Sequence, residues 1–294
     1  MEIRVLRYFW TIAEENSVSK AAEQLHITQP TLSRQLRELE TELGTELFTR
    51  EKNRLKLTEA GLFLKSRAEE ILSITQRTEQ EFEDQKKLLF SGNISVGCVE
   101  ADNSDTLSMM LEEFVADYPE VTFNIYTATG DDITDRLDKG LIDLAILLEP
   151  VDTAKYNKIV LPRVERWGLL VSNTSFLAEE KVITPDNILG VPLIVSARPA
   201  VQAMLTSWVG EKSDQLNVVG NMNLLFNTIP LVERQVGSAL TIEGATTGRI
   251  GDENKFIPFE PAVTTNCVMV WRKDRVIAPA ANEFLKQSKH AFKA

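Results

Sequence analysis

Residues 58–89 of this 294-residue chain contain no proline and one glycine, Gly61, near the start. Nothing there interrupts a helix, and Thr58 stands in front of it as an N-cap. At 1.5 Å per residue, about 30 residues make a rod of ~45 Å. Leu64, Ala68, Ile71, Thr75, Thr78, Phe82, Gln85 and Leu89 recur along it at alternating spacings of four and three. That is a coiled-coil pattern. A lone helix of this length has no reason to stay in water unless it pairs, so the spacing predicts a dimerisation arm. The arm divides the chain into three sections, in keeping with a length beyond the ~150 residues usual for one domain.

The first section, 1–58, reads as helices followed by a hairpin. "IRVLRYFWTIAEE" sets Leu6, Phe9, Trp10 and Ala13 on one stripe. "SVSKAAEQL" follows, with Ser17 or Ser19 as N-cap and Ala21, Ala22 and Leu25 as its packing face. Adjacent alanines let a neighbouring helix come close. After the connector "HIT", Thr28 is the N-cap of a third helix and Pro30 lies in its first turn, where a missing N–H costs little. "LFTR" and "RLKLT" then read as two short strands around "EKN".

The third helix separates two chemistries. Leu32, Leu36, Leu39 and Leu43 fall within about 60° on a helical wheel. Pro30, Ser33, Arg34 and Arg37 lie opposite, with Gln29 beside them, while Glu38, Glu40 and Glu42 make the rear negative. Only the front half tolerates a phosphate-lined groove. Gln suits adenine N6/N7, Arg suits guanine O6/N7, and Thr or Pro meets a thymine methyl. Periodicity alone also allows an ordinary amphipathic helix with a solvated face. The preceding short helix, the three-residue turn and the basic hairpin together favour a winged helix-turn-helix.

From Asn93 the pattern changes. Apolar runs such as "NISVGCV", "VTFNIYT", "IDLAILL", "WGLLVS", "PLIVS", "LNVVG", "SALTIE" and "CVMVW" alternate with helical stretches such as "SDTLSMMLEEFVADY" and "AVQAMLTSWVG". Buried runs separated by helices predict parallel sheets covered on both faces. About 200 residues allow two such lobes.

The net charge of −11 would oppose nucleic acid if it were evenly spread. Through residue 91, however, 14 Lys/Arg meet 16 Asp/Glu, and the remainder has 18 against 27. The acidity belongs to the later part. Two cysteines, Cys98 and Cys267, and two histidines, His26 and His290, are unclustered, which predicts neither metal nor cofactor. Both cysteines sit in strand-like runs and read as small buried hydrophobes. No nucleophile-elbow, P-loop or zinc-protease motif occurs, and "GATTGRIG" reads as a loop, so the chain is not expected to be an enzyme. With no long apolar run and no cleavable leader pattern, the expected location is the cytoplasm, with no membrane partner.

The stretches "FWTIAEENSVSKAAEQLHITQPTLSRQLRELETELGTELFTR" and "LKLTEAG", with "EEFVADYPEV" and "RLDKGLIDLAILLEP" further on, resemble the LysR-type transcriptional regulators over essentially the whole chain. The resemblance implies three parts: a winged helix-turn-helix (1–58), a linker and dimerisation helix (59–90), and a two-lobed α/β effector domain of periplasmic-binding-protein type (91–294). It implies that Gln29, Pro30, Thr31, Ser33 and Arg34 meet the major groove; Thr28 and Arg37, on the same polar face, join them as DNA-binding candidates. The wing, Arg50, Lys52, Asn53 and Arg54, would follow phosphates or a minor groove. A basic residue is common in the family where this chain has Asn53. Arg50 fits a structural or phosphate contact as well as a base reader.

In that fold the chain crosses between lobes twice, expected near 161–162 and 265–267. Lobe one would then be 91–161 with 267–294, and lobe two 162–266. Ligands bind beyond the carboxyl ends of strands, which selects Glu100, Ala101, Asp102, Asn103, Thr127, Thr129, Gly130, Leu148, Ser196, Arg198 and Glu243. Asn103 and Ser104 fit helix caps as well as ligand donors. Arg198 fits a carboxylate clamp or a surface position. Glu100, Asp102 and Asp105 would oppose an anionic ligand unless lobe two compensates. The expected partners are double-stranded DNA carrying an inverted repeat, a small-molecule effector, and further copies of the chain as homodimer and homotetramer. Two alternatives stand beside this one. A redox-sensing regulator would need Cys98 or Cys267 exposed, and a solute-binding protein would leave the first 90 residues unexplained.

Overall fold

A computed structural model describes residues 1–51, 54–86 and 92–292. It contains two compact units, Met1–Lys86 and Lys87–Ala294.

In the first unit, α1 (Ile3–Glu15) buries Leu6, Phe9, Ile12 and Ala13 and ends at Asn16 in the left-handed region. Ser17, not Ser19, caps α2 (Val18–Gln24), which presents the buried Ala21 and Ala22 to its neighbours. Thr28 caps α3 (Gln29–Leu43), with Pro30 in the first turn and Gly44 closing the end. Two core clusters result, one around Leu6, Phe9, Leu39 and Leu47, the other around Ile12, Ala21, Ala22 and Leu32. Burying one such large side chain is worth about 1.5–3 kcal/mol. Leu43 departs from the expected stripe and is exposed. It is the last residue of the helix, and Leu47, from the connection beyond, joins Leu39 in the core.

The wing is an antiparallel pair, β1 (Phe48–Glu51) and β2 (Arg54–Leu57). α4 (Glu59–Lys86) begins at Thr58, whose hydroxyl accepts from Gly61 N at 3.0 Å. A side chain at Gly61 would place Cβ 2.1 Å from the Leu47 carbonyl, so only glycine lets the helix start against the wing. Along α4 the expected seam divides. Leu64 and Ala68 are spent on the unit's own core, whereas Ile71 and Phe82 are exposed. Exposed Leu62, Phe63 and Ile74 lie outside the four-three pattern. Leu89 and the side chain of Gln85 lie outside the described residues.

The second unit contains β3 (Gly92–Cys98), α5 (Asn103–Asp117), β4 (Val121–Thr127), α6 (Gly130–Lys139), β5 (Leu144–Leu148), β6 (Tyr156–Ser172), β7 (Pro192–Ser196), α7 (Pro199–Val209), β8 (Asn217–Met222), α8 (Ile229–Glu233), β9 (Ser238–Ile242), α9 (Glu243–Thr246), β10 (Asn254–Pro258), β11 (Thr264–Arg272) and α10 (Pro279–Ala291). The strand order is β4-β3-β5-β11-β6-β9-β7-β8, with β10 also on β6. β6 serves both lobes. Its first part pairs with β11 as far as Arg166, and from Trp167 it pairs with β9 and from Gly168 with β10.

One expectation is corrected here. β6 runs unbroken through Leu161 and Pro162, and its register against β11 shifts between the Val164–Asn266 and Val160–Val268 pairs, the stretch where the crossings near 161–162 and 265–267 are expected. The sheets are mixed rather than parallel. β3, β4 and β5 are parallel, as are β7, β8 and β9, but β6, β10 and β11 run against their neighbours. A chain that leaves a lobe and returns beside its own path pairs antiparallel there. Both lobes have apolar cores, one around Phe114, Ile146 and Phe284, the other around Leu193, Leu205 and Phe259.

Candidate nucleic-acid interface and ligand cleft

The front of α3 keeps its polar groups turned outward. Gln29, Pro30, Thr31, Arg34 and Arg37 are exposed and Ser33 half-exposed, while Leu32 and Leu39 anchor the opposite side. Local bonds order this face. The Thr28 hydroxyl accepts from Thr31 N at 3.4 Å and lies 2.8 Å from the Thr31 hydroxyl, and Gln29 Nε2 donates to Ser33 Oγ at 2.9 Å. Arg34, 71% exposed, is 3.7 Å from Glu38, which also accepts from Gln35 at 2.6 Å. Arg37 has no ion pair among the described residues. An exposed pair such as Arg34–Glu38 is worth only about 0.3–0.5 kcal/mol, so the guanidinium is readily given up to a stronger acceptor. Lys52 and Asn53 lie outside the described residues, as do the side chains of Arg50 and Arg54.

The second unit holds a cavity of about 90 Å³ between its lobes. Of the residues selected by strand ends, Glu100, Thr129, Gly130, Leu148, Ser196 and Arg198 line it; Ala101, Asp102, Thr127 and Glu243 do not. The side chain of Asn103 lies outside the described residues. Much of the remaining wall is apolar and comes from positions that the strand-end rule passes over, including Val99, Trp167, Met222, Leu225, Leu240 and Ile242. Thr241, 5% exposed, adds a hydroxyl.

The charged groups around this cavity engage one another. Arg198 grips Asp131 across the cleft with two bonds, 3.0 and 3.3 Å. It is thus neither a free clamp nor a plain surface residue. Arg163 holds Asp102 at 2.9 Å and Asp105 at 2.5 Å. Arg166 takes Glu243 through two bonds of 2.7 Å. Glu100 accepts from Leu225 N at 2.9 Å, lobe one to lobe two. Thr129 caps α6, and Ser104 donates to the Ala101 carbonyl at 2.8 Å.

Beside the crossing strand lies a buried carboxylate. Glu165, 1% exposed, accepts from Asp102 N at 2.6 Å on one lobe and Gly244 N at 3.0 Å on the other. Burial raises its pKa, the nearby Asp102 and Glu243 carboxylates raise it further, and the two backbone donors oppose them. At Gly244 any Cβ would lie 2.1 Å from Asp102 N, so the lobes meet backbone to backbone.

Cys98 and Cys267 are both buried, and burial pushes the Cys98 thiol up to about 11. Neither offers the exposed thiolate that redox sensing requires. Among the described residues no cluster of three or more metal-binding side chains occurs, and no helix is long and apolar enough to cross a membrane.

Comparison with known proteins agrees with this geometry. Residues 3–62 match the family described as bacterial regulatory helix-turn-helix protein, lysR family, and residues 89–293 match the LysR substrate binding domain. The HTH-type transcriptional regulator BsdA of Bacillus subtilis (strain 168) is 30% identical over 97% of this chain and 99% of its own. The Hca operon transcriptional activator HcaR of Escherichia coli (strain K12) is 27% identical over 97% and 96%. The solved structure of CbnR, a LysR family transcriptional regulator, superposes with a TM-score of 0.75 at 20% identity, covering 100% of both chains. Full-length CbnR with its target DNA gives 0.74 at 20% identity, over 99% of this chain and 100% of that one.

Proposed function

The chain belongs to the lysR family of bacterial regulatory helix-turn-helix proteins, and from that premise we propose how this member meets DNA and its effector. It is a DNA-binding transcriptional regulator with an effector-binding domain. Gln29, Pro30, Thr31, Ser33 and Arg34 enter the major groove, Thr28 and Arg37 flank them, and the wing from Arg50 through Lys52 and Asn53 to Arg54 follows the backbone. The observation that carries this reading is the front of α3: exposed amide, hydroxyl and guanidinium groups over a leucine face that is buried in the unit's own core.

Two copies pair through the exposed part of α4, and dimers join into tetramers. The operator is then an inverted repeat with half-sites a helical turn or a multiple apart. A small molecule in the cavity between the lobes changes their closure and so shifts the balance between arrangements of the DNA-binding heads. The protein acts in the cytoplasm, and regulation rather than catalysis is its activity. The complex of CbnR with its target DNA supports the docking mode.

The test is binding to DNA upstream of the protein's own gene, titrated against excess nonspecific duplex at two salt concentrations. Competitor-resistant binding with a protected inverted repeat is expected. Binding that competitor removes at every upstream site would overturn the reading. For the arm, Phe82→Glu, at a residue 62% exposed, is expected to weaken dimerisation and operator binding together. An unaltered sedimentation profile would place the seam elsewhere.

A further inference from the structure

We propose that the cavity between the lobes takes a small apolar ligand bearing an ammonium group, held at Glu100. The proposal rests on the reading of this cavity as the effector site and adds the ligand's chemical class.

Charge is the first ground. The arginine in the cavity wall, Arg198, is already matched by Asp131, as are Arg163 beside it by Asp102 and Asp105 and Arg166 by Glu243, while Arg249 donates to the Ala245 carbonyl at 3.4 Å and is not part of the wall. Glu100 lines the cavity and has no ion-pair partner among the described residues. Its Oε2 takes one backbone N–H, that of Leu225, which leaves Oε1 for a ligand donor. An anionic ligand would have to draw Arg198 away from a two-bond partner and then lie in a cavity that Glu100 also lines. A cation meets a carboxylate in place and disturbs nothing.

Hydrogen bonding is the second ground. Thr241 is 5% exposed, lines the cavity, and its hydroxyl has no hydrogen-bond partner among the described residues. The hydroxyl is open to the cavity rather than a buried orphan, and a ligand N–H can donate to it. Size and polarity are the third. Val99, Leu148, Trp167, Met222, Leu240 and Ile242 make most of the wall apolar. The volume of about 90 Å³ is far below the ~300 Å³ at which drug-sized sites begin. Trp167 adds an aromatic ring of a kind that also tolerates a cation.

The experiment uses the full-length protein and three probes of matched size: n-butylammonium chloride, sodium butyrate and n-butanol, titrated calorimetrically at constant ionic strength. n-Butylammonium is expected to bind about ten- to a hundredfold tighter than the other two, the range of a charge-assisted hydrogen bond. Glu100→Gln, which keeps the shape and the acceptor for Leu225, should reduce it to the level of butanol. Butyrate as the tightest probe, equal binding of all three, silence from all three, or ammonium binding that survives Glu100→Gln would each overturn the assignment. Ala245→Leu fills the cavity from one of its lining residues, with its melting curve checking that the unit folds. Butyrate binding abolished by Ala245→Leu leaves the cavity as the effector site and removes only the ammonium. Probe binding that persists in Ala245→Leu places the ligand elsewhere and removes both.

Discussion

Arg34 on α3 and Arg198 beside the cleft are the same residue type in opposite circumstances. Arg34 is 71% exposed, with one partner at 3.7 Å; Arg198 is 29% exposed and closed by two bonds onto Asp131. The contrast extends to their surroundings. The α3 face keeps its groups in local, breakable bonds within a turn or so of the helix, while the second unit joins groups that stand far apart along the chain. A surface that meets a polyanion has to leave its cations available, because phosphate supplies the partner. A cleft that meets one small molecule settles its own charges first and leaves a few groups open.

Substitutions at matched depths test this contrast. Glu165→Ala should have the largest effect, since it strips the acceptor from two backbone donors where the lobes meet. A loss of about 2–5 kcal/mol in the stability of the second unit is expected, measured by denaturation followed through tryptophan fluorescence. An unchanged midpoint would mean that the two N–H groups find other acceptors. Arg34→Ala should do the reverse, leaving stability within about 0.5 kcal/mol while weakening specific DNA binding by about 1–3 kcal/mol. If the operator is bound equally well, the reading face is misassigned. Arg198→Ala should cost the folded state no more than ~1 kcal/mol, because the pair is partly screened by water. A larger loss in thermal melting would make the pair structural.

pH sharpens the same contrast. Glu165 has a raised pKa in the folded protein, so its stabilising contribution is complete below the ordinary glutamate range and is lost as pH rises through the raised value. Glu165→Gln should flatten that part of the stability profile. A profile unchanged by the substitution would show another group titrating there.

Much of the first unit was legible because its structure is local. Ser17, Thr28 and Thr58 cap within three residues, and the α1 and α3 stripes need only a helical period. The misreadings have local causes too. Leu43 fits the wheel but stands at the helix end, where the core no longer reaches, and Leu64 and Ala68 fit a dimer seam but were claimed by α1 and its neighbours. The cleft was half legible. The strand-end rule finds Glu100, Gly130, Leu148 and Ser196, each at or just past the end of a strand or the start of a helix. It cannot find Trp167, Leu240 or Thr241, which lie within or at the crossing of strands and face the cavity only because two lobes converge on it. Nor can it tell that Arg198 meets Asp131, 67 residues earlier, or that "NKIVLPRVE", with its proline and alternating charges, continues as one strand into "WGLLVS".

The strand order has a consequence for how the protein is made. β11 lies in the middle of lobe one's sheet, between β5 and β6, yet it leaves the ribosome after all of lobe two. The first unit ends at Lys86, and β11 is complete roughly 190 residues later, some 10–40 s of synthesis at about 5–20 residues per second. For that interval a nascent chain carries a finished DNA reader and a sensor lacking its central strand. A regulator built in this order is a DNA-binding protein before it can respond to anything. Chains stalled before residue 264 should therefore resist protease through the first unit while lobe one is still cut.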